Sequence, residues 1–345
     1  MNSMERLVAA IQGKPADRIP IFCNLLDQGA RELNLSLEEY YSKGEYVAEG
    51  QLKMREKYGY DNLWSLFYVG KEAELLGCRR MIFAKDGPPN VGEMVLRRPE
   101  DIPALQVPDD IYSHPAFEEQ RKCLRILRDE AGGKYPICAY LTASMTLPAI
   151  LMGMEKWMSL LLTGPTALRD ELLHKCSLFF QREIEAYRQA GADVLVYSNP
   201  FGSTDFITPK IFQELSLPWM QKDLQPGGTA GVVYYCGSSP FNDVIETVIE
   251  HLGIQVFYLS PMDDIRTGKR RVAGRGLTCG VINDILLIDW TREQVRAEVR
   301  RIIEAGKPGG RFLFGTLVMP FTIPEDNIRV MLEAACEFGE GETVC

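Results

Sequence analysis

No apolar run in this chain approaches the 18 or so residues that span a bilayer, and Met1 to Arg6 lack the basic-then-apolar pattern of a secretion signal. These absences exclude a helical membrane protein and give the expectation of a cytoplasmic one. Positive charge is also in short supply, with 38 Lys and Arg against 47 Asp and Glu and a net charge of −9. That balance argues against nucleic acid, whose binding rests on clustered cations neutralising phosphate. The one dense basic run, Lys269-Arg270-Arg271 with Arg266 and Arg275, lies beside Asp263 and Asp264 and reads as a solvated segment. Histidine is scarce, at three residues. His114 precedes a proline and His174 and His251 fall in helical patterns, so histidine is not the expected general base. The turn after the first apolar run, Asn24-Leu25-Leu26-Asp27, contains no glycine, which speaks against the phosphate-binding turn of an open doubly wound sheet. Internal repeats and low-complexity tracts are absent.

What is present is the composition of a soluble globular protein, 46% hydrophobic and 25% charged. Strand-length apolar runs recur at Ile19 to Cys23, Leu63 to Val69, Ile137 to Leu141, Val194 to Tyr197, Val232 to Tyr235, Val256 to Leu259, Leu277 to Val281 and Phe312 to Leu317. Between them lie amphipathic stretches with three- and four-residue apolar spacing, such as Lys175 to Gln189, Phe212 to Asp223, Asn242 to His251 and Arg292 to Ala305. Eight strand–helix units predict a closed parallel (β/α)8 TIM barrel forming one domain over residues 1–345. The stretch 70–136 exceeds what one barrel unit needs, so an insertion after the second strand is expected, covering the barrel mouth.

Nine cysteines, an odd number without compact spacing, fit a reducing compartment better than a disulfide framework. Cys23, Cys78, Cys123, Cys138, Cys176, Cys336 and Cys345 read as small hydrophobes or ordinary thiols. Cys236 and Cys279 differ in that each follows an apolar run and precedes a glycine, where strands of a parallel barrel open onto one face. Two thiols so placed could share a zinc ion; the same placement also suits buried filler.

Several short motifs in order carry a family resemblance. They are Met4-Glu5-Arg6-Leu7-Val8-Ala9-Ala10-Ile11 with Asp17-Arg18-Ile19-Pro20, Glu74-Leu75-Leu76-Gly77, Ala190-Gly191-Ala192-Asp193, Tyr235-Cys236-Gly237 and Thr322-Ile323-Pro324-Glu325-Asp326-Asn327. Together they resemble the uroporphyrinogen decarboxylase superfamily, which includes cobalamin-dependent methyltransferases, and the resemblance implies a (β/α)8 barrel. Decarboxylases of that family carry an arginine-rich segment after the first strand that holds tetrapyrrole carboxylates. This chain has Leu26-Asp27-Gln28-Gly29-Ala30-Arg31 there, and aspartate cannot replace a guanidinium fork. Decarboxylation is therefore not expected.

The thiol-methylating branch of the family usually binds zinc through His-x-Cys at the fifth strand and a cysteine after the eighth. Tyr234 stands at the histidine position and Leu317 near the late cysteine, leaving Cys236. The sequence is closer to the corrinoid-dependent O-demethylases of anaerobic bacteria, whose resemblance implies zinc on Asp205, Cys236 and Cys279; Asp205 could instead cap the turn before Thr208-Pro209. On that implied reading, Cys236 and Cys279 act catalytically through zinc. The ion polarises the ether oxygen of a small aromatic methyl ether, and the methyl passes to Co(I) of a separate corrinoid protein. The chain lacks the Asp-x-His-x-x-Gly corrinoid pattern, so the corrinoid would come on that partner. Aromatic strand ends suit a planar ring, and Tyr197, Asn199, Tyr234 and Tyr258 are the expected substrate-binding residues, with core packing the competing role for each. The alternative is methyl transfer from methylcobamide to folate or a thiol, or a decarboxylase-like protein without that activity. A homodimer is left open.

Overall fold

The computed structural model describes residues 1–341, so Cys345 lies outside the described residues. Each apolar run becomes a parallel strand: β1 (Ile21–Asn24), β2 (Leu63–Trp64), β3 (Ile137–Thr142), β4 (Val194–Ser198), β5 (Val232–Tyr235), β6 (Val256–Tyr258), β7 (Leu277–Ile282) and β8 (Phe312–Val318). The sheet order is β1-β8-β7-β6-β5-β4-β3-β2, the order of a barrel that runs once around its axis. The (β/α)8 expectation holds. Helices return the chain between strands, among them Gly44–Tyr58, Thr166–Ala190, Arg292–Gly306 and Glu325–Gly339. Local chemistry sets their limits: Thr291 and Gln294 form a reciprocal capping box at the start of Arg292–Gly306. The stretch from Phe212 is more broken than its spacing predicts, because a wide turn at Phe212–Ser216 separates Pro209–Ile211 from Leu217–Leu224.

The barrel closes between β1 and β2 with side chains in place of a strand ladder. The Asp61 carboxylate accepts from the Ile21 amide at 2.8 Å, and the Asn62 amide oxygen accepts from the Cys23 amide at 2.8 Å. Above them, Gln51 donates to the Leu25 carbonyl at 2.7 Å and accepts from the Trp64 amide at 3.0 Å. Each of these three side chains is buried. Asp61 also accepts from Ser3 Oγ at 2.7 Å and pairs with Arg6 and Arg18, so the amino-terminal helix Ser3–Gln12 is tied into the seam.

Strand alternation divides the apolar residues into two layers. Val194, Val196, Val233, Tyr235, Tyr258, Leu277, Cys279 and Leu313 face the barrel interior. Leu195, Tyr197, Val232, Tyr234, Phe257 and Phe312 face the helices in the larger outer core.

After β2 the extra segment forms the helix Lys71–Leu75, a two-stranded hairpin of Met81–Ile82 with Asn90–Val91, two 3-10 turns and the helix Glu118–Ala131. Its middle part runs beside the helix Thr166–Ala190: Lys175 donates to the carbonyls of Ile102 and Pro103, and Arg182 to those of Val107 and Pro108.

Removing the Asp61 carboxylate leaves two arginines and the Ile21 amide without their buried acceptor. Asp61→Ala is expected to lower unfolding free energy by about 3–5 kcal/mol, the usual cost of breaking a buried ion pair from one side. Urea titration with unchanged slope measures it; a loss under about 1 kcal/mol would mean that the seam does not depend on this group.

Candidate functional site at the carboxyl end of the barrel

Active sites of this architecture lie where the strands end. Here the inward positions at those ends form an aromatic and polar ring. Tyr235, the last residue of β5, stands edge-on to Tyr140 of β3 at 5.9 Å and to Tyr258 of β6 at 5.8 Å. Tyr140 stacks on Phe67 at 4.2 Å, and its hydroxyl lies 2.5 Å from Ser198 Oγ. Tyr258 is held more tightly. Its hydroxyl donates to the Thr316 carbonyl at 2.7 Å and accepts from the Thr316 amide at 3.0 Å and from Asn24 Nδ2 at 3.3 Å. Trp64 Nε1 donates to Asn24 Oδ1 at 2.9 Å. Gly315 makes this crowding possible, since a Cβ there would come within 2.2 Å of the Tyr258 hydroxyl and 2.5 Å of Cys279 Sγ.

Two acids sit in the loops above. Asp263 accepts from the backbone amides of Phe241, Asn242 and Ser260 and so fixes the loops after β5 and β6. Asp284 follows β7 and is buried, and burial pushes its carboxyl up to about 6. Burial first, then Tyr140 and Asp284, hold the Tyr235 hydroxyl well above the ordinary phenol range.

The expected site residues divide across the barrel wall. Tyr258 faces inward. Tyr197 and Tyr234 face the helices instead: Tyr197 meets Phe180 edge-on at 5.1 Å and donates to Asp223 at 2.8 Å, while Tyr234 meets Phe241 at 5.0 Å. Neighbours in a strand alternate, so in Tyr234-Tyr235 the second takes the inner face. Asn199 is fully buried under Gly202, where a Cβ would come within 2.4 Å of its Oδ1. Tyr140, Ser198 and Asp284 were not singled out by sequence reasoning, and Tyr235 counted among the aromatic strand ends without being assigned to the substrate. Period-two counting from Tyr258 across the aligned strand ends would have found Tyr235, and Asp284 follows an apolar strand as an acid in Asn283-Asp284.

Cys236 and Cys279 are both buried, and burial raises both thiols well above their ordinary range. Cys236 packs in the outer core with its Sγ 3.5 Å from the Asn199 carbonyl. Cys279 lies in the barrel interior beside Gly315 and Tyr258. Asp205 is exposed in the turn after β4. Among the described residues, no three His, Cys, Asp or Glu side chains come together closely enough to hold a metal ion. The zinc set Asp205, Cys236 and Cys279 is therefore not assembled, because the wall of the barrel separates the two thiols. These residues as placed do not fit zinc.

With this geometry in view, comparison with known proteins gives the family. The uroporphyrinogen decarboxylase (URO-D) family model matches residues 2–338, and the chain belongs to that family. The methylcobamide:CoM methyltransferase MtaA of Methanosarcina barkeri is 23% identical over 340 residues, covering 96% of this chain and 97% of that protein. The methylcobamide:CoM methyltransferase MtbA of Methanosarcina mazei is 23% identical over 343 residues, covering 96% of each. Among solved structures, a methyltransferase from Methanosarcina mazei superposes with a TM-score of 0.84 at 20% identity, over 98% of this chain and 99% of that one. No helix among the described residues is long and apolar enough to cross a membrane.

A carboxyl whose folded-state pKa is raised favours folding at pH values below the ordinary carboxylate range and loses that contribution as pH rises through about 6. Asp284→Asn is accordingly expected to raise the melting temperature at pH 8 and to leave it nearly unchanged at pH 4. Equal shifts at both pH values would show that Asp284 is not titrating in this range.

Proposed function

We propose that this chain is a corrinoid-dependent methyltransferase that takes the methyl group of a methylcobamide, presented by a separate corrinoid protein, and passes it to a small thiol or folate held at the carboxyl end of the barrel. The observation that carries this reading is full-length similarity to methylcobamide methyltransferases. The loop after β1 supports it by what it cannot do. Its single arginine, Arg31, lies over the Phe321 ring at 4.6 Å and donates to the Phe321 carbonyl at 2.5 Å. Asp27 beside it is buried against the Tyr41 hydroxyl. A tetrapyrrole with several carboxylates would meet no guanidinium clamp there.

In the proposed step the acceptor atom forms a bond to the methyl carbon while the cobalt–carbon bond breaks, its electron pair staying with the corrinoid. The acceptor's proton must leave. We assign that proton to Asp284, a buried carboxyl just past β7, because its raised pKa brings it closer to that of a thiol than an ordinary carboxylate comes. Tyr140, Tyr235 and Phe67 form a dry wall that keeps water from the reacting carbon. A second reading rests on the same wall, since stacked and edge-on rings suit a planar aromatic methyl ether as the methyl donor. It is the weaker one, because the full-length relatives are methylcobamide:CoM methyltransferases.

The test mixes the purified protein with methylcobalamin and a panel of thiols and folates, and separately with reduced corrinoid and methoxylated aromatics, following the cobalt absorbance. Demethylation of methylcobalamin dependent on a thiol or folate is the expected result. Transfer only from aromatic ethers would replace it with the second reading, and decarboxylation of uroporphyrinogen would overturn both.

With the preferred acceptor, Asp284→Asn is expected to lower kcat by about 10²–10⁴-fold, the usual range for a positioned general base. It should also abolish the rise in rate through pH 6 expected of the parent protein. A variant that keeps that rise would remove Asp284 from the proton path.

A further inference from the structure

The barrel interior is not filled to its floor. A cavity of about 440 Å³ runs from beneath Tyr140, Tyr235, Tyr258, Asn24 and Trp64, which separate it from the candidate active site, to the amino ends of the strands. Barrels of this type are ordinarily closed by layers of large branched side chains. Here β4, β5 and β6 contribute Val194, Val196, Val233 and Val256 to the cavity wall. Three glycines, Gly231, Gly253 and Gly276, border its outer end and leave part of that rim open. At Gly276 no other residue fits, since a Cβ would lie 2.0 Å from the Gln255 carbonyl. On the remaining side the helix Ser3–Gln12 presents Leu7 and Ile11, one turn apart on the same face. Ile11 is 41% exposed there.

The walls also define what can enter. The two charged side chains at the rim are both engaged: Asp193 pairs with Arg128 at 2.8 Å and accepts from the Ile137 amide at 3.0 Å, while Arg311 donates to the carbonyls of Ile11 and Gln12. At the inner end the polar atoms of Asn24, Trp64 and Tyr258 bond to one another and to Thr316. A charged group brought inside would be desolvated with only neutral groups, the Tyr235 hydroxyl within and the Gln255 amide at the rim, to meet it. The volume falls within the usual range of small-molecule sites.

We propose that this cavity is a second binding site, separate from the carboxyl end, for one uncharged, largely apolar small molecule that enters from the amino-terminal face of the barrel past Ile11. The occupant lies among the valines of β4 to β6, with any neutral polar end left at the glycine rim. The site is independent of the methyltransferase reading, and binding alone reports on it.

The experiment titrates the full chain with the neutral fluorophore N-phenyl-1-naphthylamine and reads its emission, with 1-octanol and octanoate as competitors. Saturable binding at one site per chain is expected, displaced by octanol and at least about tenfold less well by octanoate. Val196→Phe fills the cavity and should weaken the fluorophore by about tenfold or more, with circular dichroism unchanged. Ile11→Asp, at a half-exposed position that does not put the fold at risk, should weaken it comparably. Absence of saturable binding, equal displacement by octanoate, or binding indifferent to Ile11→Asp would overturn the proposal.

Discussion

Closure of the barrel at one seam is the constraint on which the rest of this structure depends. Seven of the eight neighbouring pairs are joined by parallel ladders, whereas β1 and β2 meet through the side chains of Asp61, Asn62 and Gln51. An unpaired strand edge inside a protein would leave amides and carbonyls without partners. Those three side chains, with a backbone bond from the Asp61 amide to the Ile21 carbonyl at 2.8 Å, supply the partners, and Asp61 brings Arg6, Arg18 and Ser3 with it. The seam thereby fixes where the amino-terminal helix lies, and that helix in turn borders the cavity at the barrel floor. The ring at the other end depends on the same closure, because Asn24 of β1 and Trp64 of β2 are hydrogen bonded across it.

Around the barrel, polar groups are buried on both sides of the wall for different reasons. On the outer side Glu72 accepts from the Thr142 amide at 2.6 Å and meets Glu183, and Asp223 accepts from Ser144 and Tyr197. Burial raises all three carboxyls, Glu72 to about 7 and Asp223 to about 6. The pair Glu72–Glu183 can share a hydrogen bond only while one of them keeps its proton. These acids favour the fold below the ordinary carboxylate range and cease to do so as pH rises through their folded values. Asp284 is shifted for the same reason, but it lies just past the end of β7 rather than among the outer helices.

Much of the architecture is legible in the residues. The eight apolar runs are the eight strands, the excess length after β2 is the hairpin-bearing insertion, and the altered loop at Leu26 to Arg31 already speaks against a tetrapyrrole. Family membership is carried by motifs spread along the chain. The site was less legible. Tyr258 can be placed from its strand end, but Tyr234 and Tyr235 are equivalent in composition, and register alone decides which of them enters the barrel. Cys236 and Cys279 look alike as thiols near strand ends, yet one stands just past β5 in the outer core and the other in mid-β7 in the inner one.

By itself, the sequence determined the strand–helix alternation, the closed parallel class and the family, because hydrophobic periodicity and short ordered motifs are properties of neighbours along the chain. Only the tertiary structure decided which side chains share a space. It sent Tyr197, Tyr234 and Cys236 outward, brought Tyr140, Tyr235, Tyr258 and Cys279 inward, and left a cavity behind the valines of β4 to β6. The physical reason is that a strand's two faces differ by a single residue of register, and that register is set by hydrogen bonds to other strands far away in sequence.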